Sequence, residues 1–276
     1  MSAGGPGGEA VSTETANQVD AKGIGVGLVG IYIAGISGIP YLAFLAGIGA
    51  VFATKMGADA VRRVCSYGIG TGVPSIGMLA LGMGLISAMF GLAIGKMLGD
   101  GNNMVFIGPI VGLVIALVIG FVVGTLANKI IKLNIPVMER CLMEIAGAGV
   151  LVMTGLSVMI AGSMDFVVIS EKVITTGYIA PVFILGALGI LHPFNASLGP
   201  DETQDRTLVH AYSCGAIAMV IGGVCSIAVI DPIAGIISIV VGLAIWYVTF
   251  MGFVKLVKRD AGAGYVGTGL LPPGAM

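Results

Sequence analysis

Apolar residues run along this chain in eight long segments, near 21–37, 40–57, 75–98, 104–131, 144–163, 174–191, 208–230 and 232–254. A helix needs about 20 residues, at roughly 1.5 Å per residue, to cross a hydrocarbon layer of about 30 Å. The third, fourth, seventh and eighth segments reach that length comfortably. The first two are short, with Gly38, Ile39 and Pro40 between them. They read as two spans of a tight hairpin, with one broken, partly re-entrant unit as the alternative. The pattern predicts an all-α integral membrane protein, a polytopic bundle of about eight transmembrane helices over residues 21–254. Residues 1–20, Gly-rich and then polar, read as a flexible arm, and residues 255–276 as a polar tail.

Charge placement supports eight spans. With the N-terminus inside, the inner side holds Lys22, Lys55, Arg62, Arg63, Lys129, Lys132, Arg140, Arg206, Lys255, Lys258 and Arg259. The outer side holds only Lys96 and Lys172, which completes the 13 basic residues. Such a bias places both termini in the cytoplasm. Glycine, 46 residues, falls mostly within the spans. The pairs Gly91/Gly95 and Gly120/Gly124 have the GxxxG spacing that lets helix backbones touch where lipid gives no hydrophobic drive. GVGLVG at 25–30 matches GxGxxG literally. It lies in a span, with no strand before it and no acid at the required distance, so it reads as a packing face and not a nucleotide site.

Composition agrees with this class. The chain is 57% hydrophobic and 10% charged, with a mean hydropathy of +1.07; a soluble domain carries about 25% charged residues. A net charge of −1 gives no reason to expect nucleic acid. Cys65, Cys141, Cys214 and Cys225 form no CxxC pair and read as small apolar side chains. His192 and His210, eighteen residues apart, have no metal-ligand spacing and read as interfacial polar groups. No catalytic residue and no metal site is expected.

The polar run from His192 to Thr207 holds Asn195, Asp201, Glu202, Asp205 and Arg206. Its bland reading is a hydrated inner loop. Its functional reading is a surface that meets a partner or a charged substrate, with Asn195 and Arg206 in contact. Three inner loops each carry an arginine four residues from an acid: Asp59 and Arg63, Arg140 and Glu144, Glu202 and Arg206. On a helix such pairs share a face. Their recurrence suggests helical hairpins repeated in parallel about an axis normal to the membrane, as occurs in transporters. Glu144, at the inner mouth of the fifth span, and Asp59 are candidates for ion handling; pairing with Arg140 explains Glu144 equally well.

GADAVRRVCSYGIGTGVPSIG at 57–77 and HPFNASLGPDETQDRTL at 192–208 resemble the C subunit of the tetrahydromethanopterin S-methyltransferase complex of methanogenic archaea. MSAGGPGG at the start and IIKLNIPVMERC at 130–141 are similar to that family too. The resemblance implies one membrane subunit of an enzyme, without a complete active site of its own. In such a complex a methyl group passes from methyl-tetrahydromethanopterin, or its sarcinapterin relative, to a corrinoid on the A subunit, and then to coenzyme M. The H subunit serves the pterin side, the D and E subunits are the other multi-span membrane parts, and sodium is the coupling ion. Coenzyme M carries a sulfonate, which calls for fixed cationic donors; Arg206 is the candidate, with Arg62 and Arg63 as companions. A self-contained secondary transporter and a purely structural scaffold within the complex remain the alternatives.

Overall fold

The computed structural model describes residues 20–66, 73–99, 105–197 and 204–262. Among the described residues the regular structure is helical throughout, without a strand. Nine α-helices follow in order among them: α1 Ala21–Ile36, α2 Phe44–Ser66, α3 Val73–Leu98, α4 Gly108–Lys129, α5 Met138–Ala161, the single turn α6 Phe166–Ile169, α7 Ile179–Ser197, α8 Gln204–Val229 and α9 Pro232–Gly262. Seven of these, all but α1 and α6, are long and apolar enough to cross a membrane. The protein is a multi-pass membrane protein. The first expected span is α1, with 16 residues, about 24 Å long at 1.5 Å per residue. It packs antiparallel to α2, with Gly30 against the Leu45 carbonyl and Gly27 against Gly49.

Local chemistry sets the helix ends. Asp20 caps α1 by accepting from the Gly23 N–H at 3.1 Å, and Asp165 caps α6 by accepting from the Val167 N–H at 2.8 Å. Asp231 accepts from the N–H groups of Ile233 and Ala234 at the start of α9. Each side-chain oxygen satisfies a donor that the first helical turn leaves open. Gly162, at φ +68, ends α5 in the left-handed conformation that glycine adopts without a Cβ clash.

The centre of the bundle is α5. In its spanning stretch, 94% of the residues are buried, and it packs against α1, α2, α3, α4, α7 and α8. Beyond Glu144 its sequence is apolar on every side apart from Thr154 and Ser157, as an enclosed helix requires, and its small residues admit neighbouring backbones. A Cβ on Gly149 would lie 3.0 Å from the Leu81 carbonyl oxygen, and one on Gly155 would lie 2.8 Å from the Ala46 oxygen. The outer helices turn large apolar residues outward, Val118 and Phe121 on α4 and Leu243 and Val248 on α9 among them. Lipid, unlike water, tolerates that surface.

Several helix boundaries differ from those the sequence suggests. Hydropathy ends the second span near residue 57, but α2 continues to Ser66. The polar run 192–207 reads as a loop, but α7 continues to Ser197 and α8 begins at Gln204. Residues 255–262 continue α9. In each case polar residues continue the helix, so hydropathy marks where the apolar stretch ends and not where the helix ends.

Candidate functional site

Buried charges gather at one end of the bundle, where α2 ends and α5 begins. Arg63 is 2% exposed, Glu144 4%, Arg62 5% and Asp59 9%. The helical spacing of α2 brings Asp59 beneath both arginines: Arg62 Nη2 donates to Asp59 Oδ1 at 3.1 Å, and Arg63 Nε donates to Asp59 Oδ2 at 3.2 Å. Arg63 Nη2 reaches across to α5 and donates to Glu144 Oε2. Two guanidinium and two carboxylate groups thus balance in charge, as buried ions must. Glu144 Oε1 and Arg62 Nε are buried without a hydrogen-bond partner among the described residues.

The structure rearranges the expected site residues. The charge pattern places Arg62 and Arg63 in a loop; they lie in the last turns of α2. Asp59 pairs with Arg63 as its spacing requires. Glu144 is expected at the mouth of its span, paired with Arg140. It is instead the seventh residue of α5, two turns in, and Arg63 is its partner, while Arg140 faces outward. A residue four positions along a helix competes poorly with a guanidinium already aimed at the carboxylate from the neighbouring helix. Glu202, the expected partner of Arg206, lies outside the described residues.

Arg206 is 5% exposed, in the first turn of α8. Gly215 of α8 faces Val51 and Thr54 of α2. From that contact Arg206 lies nine residues back along α8 and Arg63 nine residues on along the antiparallel α2, about 14 Å each way. Both arginines therefore stand at one level of the bundle. Asp205 joins α8 to Arg259 of α9 at 2.8 Å. Asn195 is exposed near the end of α7. His192 and His210, which spacing leaves apart, come together with ring centroids 5.3 Å apart, and His210 stacks on Phe253 of α9 at 4.6 Å. The hairpin of α7 and α8 is the signal for that meeting, because His192 lies in the last turns of α7 and His210 in the first turns of α8. No group of three or more His, Cys, Asp or Glu side chains among the described residues is placed to hold a metal ion.

At the same end Lys55 Nζ contacts Asp20 Oδ2 at 2.7 Å and ties the start of α1 to α2. Burial works against ionisation of Asp20. The Lys55 ammonium and the Gly23 N–H outweigh it and hold the carboxyl below its ordinary 3.8. The opposite end carries Lys96 paired with Asp165 at 3.0 Å and the Tyr32 hydroxyl donating to the Phe106 carbonyl.

A helical membrane bundle whose buried charges, among the described residues, gather at one end defines an integral membrane component. The chain belongs to the family described as the C subunit of tetrahydromethanopterin S-methyltransferase, whose profile matches residues 1–274. It is 57% identical over 272 residues to the C subunit of that enzyme from Methanosarcina mazei, covering 99% of this chain and 98% of the relative. The Methanosarcina barkeri protein of the same name is 54% identical over 272 residues, covering 99% and 98%. The Methanothermobacter thermautotrophicus protein is 42% identical over 261 residues, covering 95% and 94%.

Proposed function

We propose that this chain is a membrane subunit of a sodium-translocating methyltransferase complex of methanogenesis in the cytoplasmic membrane. The complex passes a methyl group from methyl-tetrahydromethanopterin or methyl-tetrahydrosarcinapterin to coenzyme M by way of a corrinoid on the A subunit. The D and E subunits are its membrane neighbours. The end bearing Asp59, Arg62, Arg63, Glu144 and Arg206 faces the cytoplasm, the side that carries most of the basic residues.

The observation that carries this reading is the buried cluster itself. Ionisable groups enclosed in a membrane bundle are costly, and they ordinarily mark ion or substrate pathways. Glu144, with one carboxylate oxygen unpartnered among the described residues, and Asp59 are the groups offered to sodium. Arg206, with Arg62 and Arg63 as companions at the same end of the bundle, is offered to the sulfonate of coenzyme M, since a guanidinium presents its donors in a fixed fork. The clasp between Arg63 and Glu144 also favours a second reading, in which the cluster only holds α2 to α5 and neighbouring subunits handle the ions.

Reconstituted complex carrying Glu144→Gln separates the two. Under the ion reading, sodium uptake per methyl transferred falls while methyl transfer continues in leaky vesicles. Under the clasp reading, the complex loses heat stability but keeps its ratio of sodium to methyl.

A further inference from the structure

The turn between α4 and α5 holds a set of exposed cations on a fixed backbone. Asn128 closes it: its side-chain oxygen accepts from the Ile135 N–H at 2.9 Å and its amide donates to the Ile135 carbonyl at 2.9 Å. The Ile131 and Leu133 N–H groups fold back onto the carbonyls of Leu126 and Ala127. Leu133, Ile135 and Val137 turn into the core, which leaves Lys132, Asn134 and Pro136 exposed between them. Lys132 and Asn134 adopt φ +60 and +55. Asparagine is common in that left-handed region and glycine is usual where a helix ends in it. A lysine there holds a cation at a position whose backbone favours glycine.

The surroundings of Lys132 have a definite character. Lys129 and Arg140 are also exposed, while the nearby Glu139 is partly covered and bonded by the Asn128 amide. Ile130 and Ile131 are 70% and 62% exposed and continue the outward aliphatic face formed by Val118, Val122 and Leu126. The span ending at Lys129 has 25 residues, about 38 Å. It outruns a hydrocarbon layer of about 30 Å and brings Lys129 into the headgroup layer.

We propose that this turn is a binding site for an anionic phospholipid, with Lys129 and Lys132 on the phosphate and Ile130 and Ile131 against the upper acyl chains. Cations at headgroup depth beside lipid-facing aliphatic residues complement such a lipid in charge and in polarity. The continuity of the two isoleucines with the lipid-facing stripe of α4 favours lipid over an acidic protein partner. This site is separate from the buried charge cluster and does not depend on the function proposed for it.

The test uses the assembled complex in nanodiscs of phosphatidylcholine with or without phosphatidylglycerol. Native mass spectrometry counts the phosphatidylglycerol retained, and a thermal scan records its stabilising effect. K129Q/K132Q is expected to weaken retention roughly thirtyfold, since each lysine near an anionic surface is worth about a fivefold gain in affinity. K129R/K132R should keep it. Lys132→Gly, which relieves the left-handed backbone, should be at least as stable as the parent in phosphatidylcholine and still bind less phosphatidylglycerol. Equal retention by parent, K129Q/K132Q and Lys132→Gly would overturn the proposal. So would loss of a neighbouring subunit from the K129Q/K132Q complex, which would make the turn a protein interface.

Discussion

Arg63 of α2 and Glu144 of α5, 81 residues apart in sequence, meet in a buried ion pair that fixes two central helices to each other. Asp59 shares the same guanidinium and keeps Arg62 as a second partner, so removing Arg63 leaves the buried Glu144 carboxylate without its cation. Arg63→Met is expected to destabilise the protein by about 3–5 kcal/mol. The double variant Arg63→Met with Glu144→Leu should lose less than the sum of the two single variants. Thermal unfolding of all four forms in one detergent measures the coupling; strict additivity would show that the pair contributes nothing.

Gly120 of α4 packs directly on α5: a Cβ there would lie 2.5 Å from the Leu142 oxygen and 2.6 Å from the Met143 Cα. Backbone atoms cannot swing aside, so Gly120→Ala should cost about 1–3 kcal/mol, and Gly120→Leu more. Gly82 provides the control, because open space surrounds its Cβ position; Gly82→Ala should raise stability by about 0.5–1 kcal/mol. Comparing melting temperatures checks both signs.

The pair of Asp20 and Lys55 predicts a particular acid response. The folded carboxyl is held below its ordinary 3.8, so its contribution is complete above that value and is lost as the pH falls through the lower folded value. Both side chains are partly exposed, which limits the effect to about 1 kcal/mol or less. Asp20→Asn should be less stable than the parent at neutral pH, and the gap should close below about pH 4. A constant gap down to strong acid would contradict the pairing.

Arg206→Gln should leave an assembled complex that needs roughly tenfold more coenzyme M, or more, for half-maximal turnover, the usual weight of a charge-assisted contact. Steady-state kinetics on the purified complex provide the measurement. An unchanged requirement would remove Arg206 from sulfonate binding.

Sidedness is open to chemical labelling on a cysteine-free background. A cysteine at Asn195 should react with an impermeant maleimide only from the cytoplasmic side, and one at Asp165 only from outside. The reverse result would invert the proposed orientation.

Much of the architecture is legible in the chain because lipid imposes a simple rule: an apolar stretch of sufficient length becomes a helix. The packing role of Gly120 and Gly124 is legible for the same reason, since small residues at that spacing have few other uses in a span. The extent of α2 reads too short because ADAVRRV is polar. The spacing of Asp59, Arg62 and Arg63, with neither Gly nor Pro from Ala58 to Ser66, is the available signal that the helix continues. The partner of Glu144 is not legible at all. Local spacing offers Arg140, and only the crossing of α2 and α5 brings Arg63 to the carboxylate.

The enclosed position of α5 has a consequence for how the protein is made. Translation delivers helices in order, so α5 enters the bilayer before α7 and α8 exist to cover it. A flank that ends against protein first lies against hydrocarbon, which its all-round apolar surface tolerates. Its buried acid arrives later than its counter-ion: Asp59, Arg62 and Arg63 are already inserted on α2 when Glu144 emerges. Each charge of the cluster thus enters a membrane where its partner is either in place or on the same turn, and chain order itself shields the most costly residues during insertion.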